Sequence, residues 1–97
     1  LTRDTMTGKK LLAHELIGLK VKVKESSDAS RKGLTGKVVD ETKHTLKIES
    51  GKGEKTVPKK ECVFEFVSGK EKTEIEGKKL CLKPEDRIKE YWRNVYD

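Results

Sequence analysis

Long apolar runs are missing from this chain. No stretch approaches the ~18 residues of a membrane-crossing helix, and none has the apolar centre of a secretory signal. No membrane partner is expected, and a soluble chain acting in the cytoplasm is. The sequence opens at Leu1, which reads as a trimmed or internal start. Cysteine is scarce too. Cys62 and Cys81 lie far apart, and neither has a second cysteine or histidine at the close spacing of zinc ligands. A zinc site made from them with His14 and His44 is the weaker reading. Buried or half-buried thiols are the stronger one, and a disulfide is not expected in an intracellular chain. No cofactor or metal is therefore expected on this chain.

Arginine and aromatics are few as well. Lysine supplies 19 of the 23 basic residues, and aromatics make up 5% of the chain. Lysine acts as a point charge, whereas forked reading of base edges needs arginine. With two Phe available, Phe64 and Phe66 are read as core and not as a base-stacking platform. A phosphate-cradling loop is also absent, because the Ser50-Gly51-Lys52-Gly53 turn is not followed by Gly-Lys-Ser/Thr.

Charge is what the chain has in quantity. Charged residues are 41% and hydrophobic ones 32%, with a net charge of +6. The balance is uneven: residues 1–60 sum to +7 and residues 61–97 to −1. One basic face turned towards a polyanion is the reading, not a uniformly adhesive surface. The Lys/Glu bias is also that of thermophiles, a weak hint from one sequence. Ninety-seven residues make one domain with one modest core.

The chain divides into a lead-in with a helix (1–18), a β-rich body (19–83) and a terminal helix with its tail (84–97). Thr7 caps an expected helix over Lys9–Ile17, ended by Gly18. Lys9 and Lys10 sit in its first turn, where the helix dipole disfavours them. They are solvated charge or, more sharply, phosphate contacts. Leu19–Lys24 alternates strictly, with Leu19, Val21 and Val23 on one face and Lys20, Lys22 and Lys24 on the other. An edge-strand defence and a nucleic-acid backbone explain that lysine row equally well. A polar loop follows over Glu25–Lys32. Leu34–Asp40 and Thr45–Glu49 form a hairpin, with Gly36 marking a bend or a close backbone approach. Glu54–Val57 is a further strand, ended or confined to an edge by Pro58, with Lys59 and Lys60 on an exposed connection. Cys62–Val67 follows, and then a hairpin of Thr73–Glu76 with Lys78–Lys83 around Gly77. Pro84 at the first helical position and acids in the first turn begin the last helix, with Ile88, Tyr91, Trp92 and Val95 on one stripe.

Several of these segments carry a resemblance. His14–Leu19, Gly33–Thr42, Thr45–Glu49, Val57–Lys59 and the Lys-Pro-Glu-Asp-Arg-Ile run of Lys83–Ile88 are similar, in the same order, to the archaeal ribonuclease P protein subunits that carry an Sm-like barrel. The likeness spans roughly residues 10 to 90. It departs at His44, where that family often has Asn, and at Gly8, where Pro is common. The resemblance implies a mainly β fold: a six-stranded, strongly bent antiparallel Sm-like or SH3-like barrel with amino- and carboxy-terminal helices. It also implies a non-catalytic role beside the ribonuclease P RNA, with precursor tRNA met indirectly and a zinc-ribbon protein subunit as partner. Mg2+ is then expected at the catalytic RNA.

The expected RNA contacts are Lys9, Lys10, Lys20, Lys22, Lys37, Lys43, Lys47, Lys59 and Lys60. The expected protein contacts are Leu12, Leu16, Ile88, Tyr91 and Trp92. Two other functions compete. A ribosomal or transcription-associated barrel fits Gly33-x-x-Gly36-x-Val38. An enzyme in its own right would use Asp40 and Glu41 on Mg2+ with His14 or His44 as base, but neighbouring strand residues face opposite ways, and turn chemistry is the better reading.

Overall fold

The computed structural model describes residues 11–96, with side chains described as far as Arg93. The start of the expected first helix, with Lys9 and Lys10, lies outside the described residues, as does the Val95 side chain. Six strands run β1 Lys20–Ser26, β2 Thr35–Glu41, β3 Thr45–Ser50, β4 Gly53–Pro58, β5 Cys62–Ser68 and β6 Glu71–Glu76, and helix α1 spans Pro84–Tyr96. Short 3-10 turns at Ala29–Arg31, Lys59–Glu61 and Gly77–Leu80 make the corners.

Every pairing is antiparallel, in the order β4-β3-β2-β1-β5-β6. The strongly bent six-stranded sheet is as the sequence implies, but β4 and β6 remain edges, so the barrel is open rather than closed. Register shifts between Val23 and Glu25 in β1 and between Val38 and Asp40 in β2 supply local twist. Gly36 marks a close approach: a Cβ there would lie 2.1 Å from the Glu49 carbonyl oxygen.

Alternation places Val21 and Val23, Leu46 and Ile48, and Cys62, Phe64 and Phe66 on the concave face, all buried. Phe64 and Phe66 pack with ring centroids 5.9 Å apart, and both are fully buried. Each large side chain so buried contributes about 1.5–3 kcal/mol. Val38, Val57, Ile75 and Leu80 extend the same cluster.

Two expected elements differ. Residues 78–83 form no strand. Gly77–Leu80 is a 3-10 turn pressed against the Lys59–Glu61 turn, so closely that a Cβ on Gly77 would meet the Lys59 carbonyl oxygen. Leu80 is fully buried there, and burial rather than pairing sets its direction. At the other end the helical residues seen are Leu11 and Leu12, and no helix continues to Ile17. Instead the His14 N–H donates to the Leu11 carbonyl, and Gly18, at φ 98°, closes a second turn and donates to Val38 at 2.8 Å. Leu12 and Leu16, expected at a protein partner, are 4% and 0% exposed and belong to the core cluster. The broken path lets Leu11, Leu12 and Leu16 all reach the core, which a straight helix stripe would not require.

Candidate nucleic-acid interface

Residues opposed across antiparallel strands share a face, and Lys20 on β1 stands opposite Lys37 on β2. Lys22 continues the row two residues along, about 6.7 Å away by strand rise. All three are exposed, and among the described residues none has a carboxylate at ion-pair distance, although Glu65 of β5 stands opposite Lys22 and Glu49 of β3 opposite Lys37. A shallow recess of about 410 Å3 lies beside Lys20 and Lys37, lined also by Thr35, Gly36, Glu49 and Ser50. Three like charges held apart by a rigid ladder make a ready site for anionic oxygens.

The other lysines of the expected set separate. Lys47 stands opposite Asp40 and reaches Glu54 at 3.9 Å, so its charge is balanced locally. Lys24 is similarly turned to Glu65, at 3.8 Å. Lys43 and Lys60 are exposed on two turns whose backbones are joined, the Lys59 N–H donating to the His44 carbonyl at 2.7 Å. On the far half of the sheet Glu65 stands opposite Glu74, and Glu76 is also exposed. The outer face thus grades from basic at β1–β2 to acidic at β5–β6.

Lys59 is a correction. Expected on an exposed connection, it is fully buried. Its Nζ donates to Glu41 Oε2 at 2.9 Å and to the carbonyls of Thr42, Leu80 and Leu82. No phosphate reaches it. Burial pushes its pKa down, and the Glu41 carboxylate pulls the other way.

The same carboxylate holds Arg87 of α1. Arg87 Nη2 donates to Glu41 Oε1 at 2.9 Å and Nε to Oε2 at 3.2 Å, while Nη1 donates to the carbonyls of Leu12 and His14 at 2.6 and 2.8 Å. Two cations face one carboxylate in a dry site, and five carbonyl dipoles offset the excess positive charge. Among the described residues no buried side-chain nitrogen or oxygen lacks a partner.

The register shift after Val38 creates this node. It sets Asp40 opposite Lys47 and Glu41 opposite the buried Leu46, so Glu41 points inward and Asp40 outward. The two carboxylates therefore cannot share one ion, and Glu41 is neither turn residue nor Mg2+ ligand but the anchor of a buried network. Glu41 and Arg87 were missed as a pair by sequence reasoning. A signal existed for Arg87, which lies four residues before Tyr91 and next to Ile88, on the inward stripe of the helix.

Of the expected protein contacts, Ile88 and Tyr91 are half-buried, Tyr91 packing on the core cluster, while Trp92 is 47% exposed. Trp92 meets the His14 ring edge-on at 5.9 Å. Glu85, Ile88, Lys89, Trp92 and Arg93 line a groove of about 410 Å3 along α1. Ile17, the last residue of the expected first helix, is 44% exposed. His44 is exposed on the hairpin turn.

Known proteins are similar to this chain over most of its length. A match to the family described as Ribonuclease P/MRP, subunit p29 spans residues 9–90. Ribonuclease P protein component 1 of Thermococcus sibiricus is 49% identical over 92% of this chain and 72% of its own. That of Methanothermobacter thermautotrophicus is 44% identical over 91% of this chain and 97% of its own. A solved structure of Mth11, a homologue of the human RNase P protein Rpp29, is 48% identical, covers 77% of this chain and 99% of that one, and superposes with a TM-score of 0.57. With an open six-stranded sheet and identities of this size across nearly the whole length, the chain belongs to the ribonuclease P/MRP subunit p29 family and is a ribonuclease P protein subunit of archaeal type.

Proposed function

We propose that this subunit is non-catalytic and binds RNA backbone, supporting the catalytic RNA that removes the 5′ leader of precursor tRNA. The observation that carries the reading is the Lys20, Lys22 and Lys37 group on the outer face, none of them in an ion pair among the described residues, in a chain of this family. Phosphates bound there release counterions, which supplies affinity with little base reading. The acidic β5–β6 side confines RNA to the basic half of the sheet. Mg2+ belongs with the RNA in this reading, since Asp40 and Glu41 face opposite ways. The zinc-ribbon protein subunit meets the α1 groove through Ile88 and Trp92, where the exposed aromatic is the type of anchor that dominates protein interfaces. Precursor tRNA is met indirectly, and the cytoplasm is the place of action.

Replacing Lys20, Lys22 and Lys37 together by Ala tests the RNA contact. The slope of log affinity against log salt should flatten by about 0.7–0.9 per lysine removed. An unchanged slope in a filter-binding titration with the ribonuclease P RNA removes these residues from the interface.

A further inference from the structure

We propose that Arg87 makes the seating of residues 11–18 and the docking of α1 a single event, so that the two ends of the chain join or leave the sheet together. One planar guanidinium on α1 spends its donors on two other segments at once: Glu41 of β2, and the carbonyls of Leu12 and His14 in the amino-terminal segment. Those two carbonyls lie at the end of a helical turn, and Arg87 caps them from another part of the chain.

Each segment removes the other's partner when it departs. Without α1, the Leu12 and His14 carbonyls and the Glu41 carboxylate lose Arg87 inside a dry site, where every unmade hydrogen bond is costly. Without residues 11–14, Arg87 keeps Glu41 but loses both carbonyls, and Trp92 loses the His14 ring. Arg87 is the fully buried side chain of α1, and Tyr91 is its one described aromatic packed on the core cluster. A helix of 13 residues is marginal alone. By reciprocity, whatever binds and steadies α1 also steadies residues 11–18, and the converse holds.

Native-state hydrogen exchange on the full chain, in urea below the unfolding transition, tests this. The protected amides of His14, Gly18 and Leu19 and those of residues 87–91 should converge on one opening isotherm, lying below that of β1 and β5. Two separate isotherms overturn the proposal. So does convergence that appears only when β1 and β5 open too. The Arg87→Lys variant keeps the positive charge but cannot fork across Glu41 and both carbonyls. It should speed exchange about tenfold or more in both segments by a common factor, with β3 and β4 unchanged. Acceleration confined to α1 overturns the coupling. Should that variant not fold, the isotherms of the unaltered chain decide the matter.

Discussion

At the scale of single residues, Glu41 carries more than its sequence position advertises. Its side chain is 1% exposed, and two cations depend on it. Replacing it by Gln leaves Lys59 and Arg87 buried without a counter-charge, which should cost about 3–5 kcal/mol. Lys59→Met leaves a balanced Glu41–Arg87 pair and should cost less. Urea melts of the two variants check the order, and a milder Glu41→Gln contradicts the charge argument. Glu61 gives a contrasting, surface case. Its carboxylate accepts from the Ser27 hydroxyl and from Arg31 and holds the loop beside the Ala29–Arg31 turn. The Ser27 hydrogen bond, then Arg31, put its folded-state pKa below the ordinary 4.5. Between 4.5 and that lower value the unfolded chain binds more protons, so this contribution is present above 4.5 and is lost as pH falls through the folded pKa. The protection of the residue 27–31 amides, corrected for the intrinsic pH dependence of exchange, should fall in that window in the native chain and fall less in Glu61→Gln, where only Asp28, which holds the Ser30 N–H, still titrates.

At the scale of elements, the strands were legible because one face is buried and the alternation is strict. Val21/Val23, Leu46/Ile48 and Phe64/Phe66 each mark an inward row without reference to any neighbour. Gly36 was legible as a close approach, and the structure supplies its partner, the Glu49 carbonyl. Gly36→Ala must force β2 and β3 apart, at a cost of about 1–3 kcal/mol or more. A thermal melt matching the native chain would show that the sheet absorbs the methyl group without opening. The turns were less legible. Lys59 and residues 78–83 read as exposed or paired sequence because no periodicity marks a 3-10 corner. Their true surroundings come from two turns packing on each other.

At the scale of the whole molecule, charge is sorted across the sheet. Lys20 and Lys37 oppose one another on one half, and Glu65 and Glu74 do so on the other. Like charges set opposite one another weaken pairing slightly, and each pair has an opposite charge on its other side, Glu49 facing Lys37 and Lys22 facing Glu65. Under the proposed function this gradient orients a polyanion over β1–β2. Native capture of the chain should therefore retain the ribonuclease P RNA together with a zinc-ribbon protein. Recovery of ribosomal subunits or RNA polymerase instead would move the chain to the competing class of small barrels.

The sequence by itself determined the inward rows, the position of α1 and the lysine row of β1, because hydrophobic period and cap residues act within a few positions of each other. It also marked the net basic character of the first half. Tertiary structure alone decided which lysines are available. A one-residue register shift in β2 chose Glu41 over Asp40 as the inward carboxylate, and that choice drew Lys59 and Arg87 out of solvent. Such burial depends on groups 18 and 46 positions away in the chain, a distance over which local pattern carries no information.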